Sequence, residues 1–176
     1  MKRGTRTEEV KRGDMMAKKE MKTNAMRILE SHKIPFETMT YECDEFTDGM
    51  QTAKILEIAP KLMYKTLVTV GKSQANYVFV IPIAEEIDFK KAAKIVGEKS
   101  LEMLPLKDLT KVTGYIRGGC TSIGMKKQFP TVIDESAKLL ERMIVSGGKI
   151  GMQLKIAPED LKKATDAQFA DVIFRG

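Results

Sequence analysis

The chain has 176 residues, 43% hydrophobic and 31% charged, with a formal net charge of +6. That length suits one domain with its own core. The charged fraction with 13 Gly and 6 Pro excludes collagen-like and disordered compositions, and no apolar run approaches the roughly 18 residues of a membrane span.

Residues 1–20 hold seven Lys or Arg against four acids, half of the excess charge. The stretch has no apolar h-region and is no secretory signal. It reads as a flexible basic leader or an over-long start, with a basic arm gripping nucleic acid as the rival reading. Residues 21–176 read as a single domain.

From Thr23 the pattern turns periodic. Thr23 or Asn24 caps a helix whose Ala25, Ile28 and Leu29 form a stripe, and Pro35 ends it. Residues 36–41 read as a short strand. In the acidic, turn-rich segment 42–49, Asp48 is placed to cap a second helix with Met50, Ala53, Leu56 and Ala59 on one face and Pro60 as its stop. The runs LMYKTLVTV (62–70) and NYVFVIPI (76–83), joined by GKSQA, predict an antiparallel hairpin.

Asp88 opens a helix through Ala92, Ala93 and Val96 to Gly97, and Lys107 to Thr113 makes a shorter helical piece after Pro105. The stretch 114–134, with four glycines and one proline, predicts strands meeting in a backbone-lined pocket. SGGK separates two alternating runs within 141–157, a second hairpin. Pro158 starts a last helix, and an apolar run, FADVIF, follows it. Short strands mixed with helices on a Gly-rich frame predict an α+β fold with a curved mixed sheet, not a doubly wound nucleotide fold.

Trp is absent and aromatics are only 6%, which argues against a stacking surface for single-stranded nucleic acid; the 12 Met help to fill the core instead. Cys43 and Cys120 lie 77 positions apart and His32 is the only histidine, which excludes most zinc sites and every His-based triad. Both cysteines read as free thiols of a reducing cytoplasm, and His32 as a helix-edge imidazole. The chain has no P-loop, GxGxxG, HExxH or GxSxG, so the usual phosphate, dinucleotide, zinc-protease and serine-hydrolase mechanisms lose their signatures. No metal, cofactor or membrane is expected.

Strand alternation puts Lys65, Leu67 and Thr69 on one face. If that face lines an interior, the Lys65 ammonium needs acceptors or a polar pocket; the other reading has it snorkel into solvent from the strand's start. Gly118 and Gly119 either let main-chain N–H groups approach a ligand, with Cys120, Thr121 and Ser122 beside them, or relieve a crowded strand bend. Tyr41, Asp48, Lys126 and Lys127 are explained more simply by an exposed phenol, a helix cap and a solvated basic pair.

The blocks KTNAMRIL (22–29), YKTLV (64–68), FKKAAKIVG (89–97), TGYIRGGCTSIGMKK (113–127), PTVID (130–134) and VSGGKIGMQLKIAPEDL (145–161) together resemble the YbaK/EbsC family. Its members are trans-acting editing domains related to the insertion domain of bacterial prolyl-tRNA synthetases. The likeness covers about residues 21–172 and leaves out the leader. It implies the family's mixed fold, a largely antiparallel curved sheet or barrel surrounded by helices. It also implies hydrolysis of Cys-tRNA(Pro), the product made when prolyl-tRNA synthetase mistakes cysteine for proline.

The resemblance makes Lys65 the leading site residue, binding the phosphate or ribose of the terminal adenosine and orienting the ester. It matches Gly118 and Gly119 to the loop that approaches the ester, with Thr121 and Ser122 following them, and Tyr41 to a pocket tyrosine. Gln153 falls at a pocket-facing position whose residue type varies in the family. One departure stands out: Ser122 occupies a position where the family loop has proline, which loosens that loop's φ.

The implied mechanism needs no protein nucleophile. The substrate's own thiol attacks its ester carbonyl, releasing tRNA and a thiolactone that water opens, so Cys120 is not expected to be catalytic. Two rivals share these residues: a deacylase for alanine or serine that activates water, and a non-catalytic adaptor for tRNA or a synthetase. The implied partners are the cysteine-bearing acceptor end of tRNA(Pro) and prolyl-tRNA synthetase.

Overall fold

The computed structural model describes residues 22–42 and 48–175, so the expected leader and Cys43 lie outside the described residues. The first helix, α1 (Asn24–Ser31), is capped by Thr23, whose hydroxyl accepts from the Met26 N–H at 3.2 Å and donates to the Gly147 carbonyl at 2.6 Å. One side chain thus ends a helix and ties it to a distant turn. The chain passes through β1 (Glu37–Thr40) to α2 (Gly49–Ile55), capped by Asp48, which accepts from the Gln51 N–H at 2.9 Å. α2 stops well short of Pro60, because Glu57 takes a left-handed conformation with φ 56°.

The expected hairpin is β2 (Tyr64–Gly71) against β3 (Asn76–Pro82), with Lys65 opposite Ile81. Next come α3 (Phe89–Val96), capped by Asp88 and closed by Gly97 at φ 77°, then β4 (Leu101–Met103) and α4 (Leu109–Thr113). Of the stretch 114–134 only β5 (Thr131–Asp134) is a strand; the glycine-rich part before it is an irregular loop. Its glycines serve turns there, with φ 87° at Gly118 and 74° at Gly124.

β6 (Met143–Ser146) and β7 (Met152–Ile156) form the second hairpin, α5 (Pro158–Thr165) follows with Pro158 in its first turn, and β8 (Gln168–Ala170) completes the order. Two sheets result: β1-β7-β6, all antiparallel, and β4-β2-β3-β5-β8, antiparallel on one side and parallel on the other. The fold is α+β, as expected. A parallel bridge from Met63 to Ile144 joins the sheets, and no closed barrel forms among the described residues.

β3 explains why NYVFVIPI lacks a polar face. Val80 packs into a core between the sheets with α1 and α5 residues, while Phe79 and Ile81 enter a second core under Ala92 and Ala93 of α3. A strand covered on both faces is apolar throughout, and each fully buried large side chain contributes about 1.5–3 kcal/mol. β4 is only three residues long and pairs with Thr69, Val70 and Gly71 alone, so the first half of β2 keeps an unpaired edge on that side.

Candidate active site

A cleft of about 690 Å³ opens along that unpaired edge. Tyr64 to Val68 form its floor, Tyr41 and the N-terminal part of α2 one wall, and Met103, Leu104, Leu106 and Leu109 another; Met63, Ile83, Arg117, Gly118, Cys120, Ser146 and Gln153 also line it. Both parities of β2 reach the cleft because it lies beside a strand edge as well as against a face. The simple alternation that set Lys65 apart from Thr66 therefore does not decide which of them lines it.

Lys65 is half-buried, and its ammonium makes no ion pair or hydrogen bond with a described residue. Burial pulls its pKa below the ordinary lysine value, while the carboxylates of Glu86 and Glu85 pull it back up. A cation in that state attracts an anion or a set of oxygen acceptors.

Tyr41 is fixed by its N–H, which donates to the Gly151 carbonyl at 2.9 Å. The Thr52 hydroxyl is committed to the Asp48 carbonyl at 3.0 Å, so the Tyr41 phenol, 3.3 Å from Thr52 Oγ1, is the donor of that pair. Gln153 is 7% exposed, yet its carboxamide has no hydrogen-bond partner among the described residues. A buried amide in that condition costs about 1–3 kcal/mol until something satisfies it.

The glycine loop is clasped from behind. The buried Tyr115 hydroxyl donates to the Ile123 carbonyl at 2.5 Å, Asn24 Nδ2 donates to the Gly124 carbonyl at 2.9 Å, and the Lys126 N–H donates to the Thr113 carbonyl at 3.0 Å. Burial pushes the Tyr115 phenol up to about 12, against a hydrogen bond with Asn24 that lowers it. These bonds hold both ends of the segment that contains Ser122.

Gly119 is required by packing: a Cβ there would sit 2.7 Å from the Lys149 Cα. Its N–H donates to the Ile116 carbonyl at 3.0 Å. By contrast, the N–H groups of Gly118, Cys120, Thr121 and Ser122 donate to no described residue, although Thr121 and Ser122 are buried. Buried main-chain donors are nearly always paired in a finished structure, so this loop is short of acceptors.

Tyr41, Lys65, Gly118 and Gln153 thus meet in one cleft, whereas Gly119, Thr121 and Ser122 stand behind its surface. Cys120 lines the cleft, but burial pushes its thiol up to about 11, with a hydrogen bond to Thr113 lowering it slightly. It is therefore a protonated, weak nucleophile near neutrality. His32 caps α1 with its Nδ1, 2.9 Å from the Ile28 carbonyl. Among the described residues no three His, Cys, Asp or Glu side chains converge as metal ligands.

Sequence reasoning missed the apolar side of the cleft. Met50, expected on the packing face of its helix, is 49% exposed at the lip, and Met103 and Leu106 are similarly open. The run MLPL (103–106) carried a signal, an apolar segment broken by proline with no periodicity to bury it.

The family described as aminoacyl-tRNA editing domain matches residues 47–164. A protein of Enterococcus faecalis, named provisionally as the Cys-tRNA(Pro)/Cys-tRNA(Cys) deacylase EbsC, is 49% identical over 160 residues, spanning 89% of this chain and 98% of that protein. A crystal structure described, again provisionally, as a trans-editing enzyme for prolyl-tRNA synthetase superposes with a TM-score of 0.75 at 22% identity, covering 86% of this chain and 96% of the other. The hypothetical protein APE2540 superposes with a TM-score of 0.78 at 19% identity, covering 86% and 99%. At those identities the two structures show the fold alone.

Proposed function

Because the chain belongs to the aminoacyl-tRNA editing domain family, we propose that it is a trans-editing hydrolase that removes cysteine from mischarged Cys-tRNA(Pro) at this cleft. The observation that carries the reading is the meeting, in one cleft, of an unpaired half-buried ammonium and a loop of unpartnered main-chain donors. A synthetase pocket shaped for proline cannot strongly reject a side chain of similar volume, so a second site has to clear its errors. The cleft volume of about 690 Å³ suits an aminoacyl ester together with its terminal nucleoside.

In the proposed chemistry the cysteinyl sulfur attacks its own ester carbonyl. The S–C bond forms, the bond from carbon to ribose oxygen breaks, and the thiol proton ends on the ribose hydroxyl. Water then opens the thiolactone to free cysteine. Lys65 holds the ribose or phosphate, and unpartnered N–H groups at Gly118 and Cys120 meet the oxyanion.

Holding thiol and carbonyl in a near-attack pose lowers the barrier by roughly 7–11 kcal/mol in the best intramolecular cases, and one oxyanion donor adds about 3 kcal/mol. A protonated Cys120 agrees with a route in which the protein supplies geometry and no nucleophile. Prolyl-tRNA synthetase is the proposed partner and the cytoplasm the proposed location; no described helix is long and apolar enough to cross a membrane.

The test is single-turnover deacylation of tRNA(Pro) charged with cysteine, alanine or serine. Cysteine should leave fastest, and an added amine nucleophile should trap its thiolactone. Equal rates for alanine, with no trapped thiolactone, would replace this mechanism with activated water. Binding of tRNA with no deacylation of any ester would make the protein an adaptor.

A further inference from the structure

Between Glu102 and Asp134 the chain carries five cations, Lys107, Lys111, Arg117, Lys126 and Lys127, and one carboxylate, Asp108. The fold gathers four of them around a single short helix. Lys107 lies in the turn leading into α4 and Lys111 in its last turn. Lys126 is bonded through its N–H to the Thr113 carbonyl at 3.0 Å, and its stem lies against Gly114, where an added Cβ would be 3.2 Å from Lys126 Cγ. Lys127 follows it.

All four side chains are exposed, and none makes an ion pair or hydrogen bond with a described residue. Lys22, Lys91, Arg142 and Arg175 are matched by carboxylates, whereas Lys90, Lys94, Lys162 and Lys163 of α3 and α5 are unpaired like these four but lie away from the cleft. The same turns that carry Lys107 and Lys111 also present Leu106 and Leu109 to the cleft, so these two charges stand beside its lip, and Lys126 reaches the C-terminal end of the same helix at Thr113 and Gly114.

We propose that this lysine face of α4 and the adjoining loop is the docking surface for the phosphate backbone of the tRNA acceptor stem, holding the body of the substrate while its aminoacylated end enters the cleft. The proposal rests on the deacylase reading for the identity of the polyanion. Unpaired ammonium groups gathered around one short helix release counterions when they meet phosphates, which gives affinity without sequence readout.

The experiment compares a Lys107→Ala, Lys111→Ala, Lys126→Ala, Lys127→Ala variant with a charge-matched control, Lys90→Ala, Lys94→Ala, Lys162→Ala, Lys163→Ala, on α3 and α5, which contribute no cleft-lining residue. Two substrates are used: Cys-tRNA(Pro), and the cysteinyl ester of the trinucleotide CCA, which has no stem. The α4 variant should lose about tenfold or more in kcat/KM on the tRNA and keep the wild-type rate on the short ester.

Anisotropy binding of an uncharged acceptor-stem minihelix reads the surface independently of chemistry. There the slope of log affinity against log salt should flatten by about 0.7–0.9 for each phosphate that is no longer neutralised. The control should match wild type throughout. Equal losses in both variants, a loss on the short ester as large as on the tRNA, or minihelix binding unchanged in the α4 variant would each overturn the assignment. The last of these would give the face to an acidic protein instead. Absence of deacylation by the wild type on both substrates would sink the deacylase reading alone, since the minihelix arm still tests the surface.

Discussion

The hydroxyl of Tyr115 donates to the carbonyl of Ile123, 2.5 Å away, and so spans the loop that carries Gly118, Cys120 and Ser122. Tyr115→Phe leaves that carbonyl unpaired within a fully buried residue, at a cost of about 1–3 kcal/mol. The expected result is a Tm lower by several degrees, about 2–4 °C per kcal/mol at this chain length, together with a slower single-turnover deacylation. If both quantities match wild type, the loop holds its shape without the clasp.

Lys65 links activity to instability. Burial lowers its pKa, so between the folded and unfolded values the unfolded chain binds more protons, and stability rises with pH across that window. At neutral pH the charged side chain is therefore a burden on the fold. Lys65→Met should raise the Tm at pH 7, with the gain shrinking as pH approaches the ordinary lysine value. Deacylation should fall by about 100-fold, the scale of losing one stabilising group in the transition state. Thermal scans from pH 7 to 10 beside single-turnover rates check both halves; retained activity would remove Lys65 from the mechanism.

Cys120→Ala should keep most of the deacylation rate, because a thiol pushed up to about 11 is almost wholly protonated at neutral pH. Alkylation of wild type should be slow at pH 7 and accelerate as pH rises toward that value. Near-total loss of activity in the alanine variant would point to a protein-bound acyl intermediate.

Gln153 has a buried carboxamide that no described residue satisfies. Gln153→Leu replaces it with an apolar group of similar size, so the fold should be as stable as wild type or more so. The ratio of cysteine to serine release should shift, because a polar group lining the cleft is gone. An unchanged ratio across the aminoacyl panel would mean that Gln153 does not touch the amino acid.

The elements with strong local chemistry could be read from the sequence: Asp48 and Asp88 as caps, the GKSQA and SGGK turns, and Pro158 opening a helix. Positions fixed by long-range packing could not. Met50 fell on the expected face of its helix, but that helix ends at Ile55 and the cleft claims the methionine. Thr121 and Ser122 looked like cleft residues by adjacency to the glycines, yet tight turns in an irregular loop put successive residues on different sides. The Asn24 half of the clasp joins residues 100 positions apart and the Tyr115 half crosses an irregular loop, and no periodicity announces either pair.

The shortness of β4 has a last consequence. Had it paired along all of β2, the site would be roofed and would admit only a free small molecule. With the strand bare on that side from Tyr64 to Leu67 and the lip formed by open methionine and leucine side chains, a thread can enter by its tip while the rest of a large polymer stays outside. Lengthening that strand by design would turn a gap in a sheet into a gate, one that shuts out the polymer before it disturbs the chemistry.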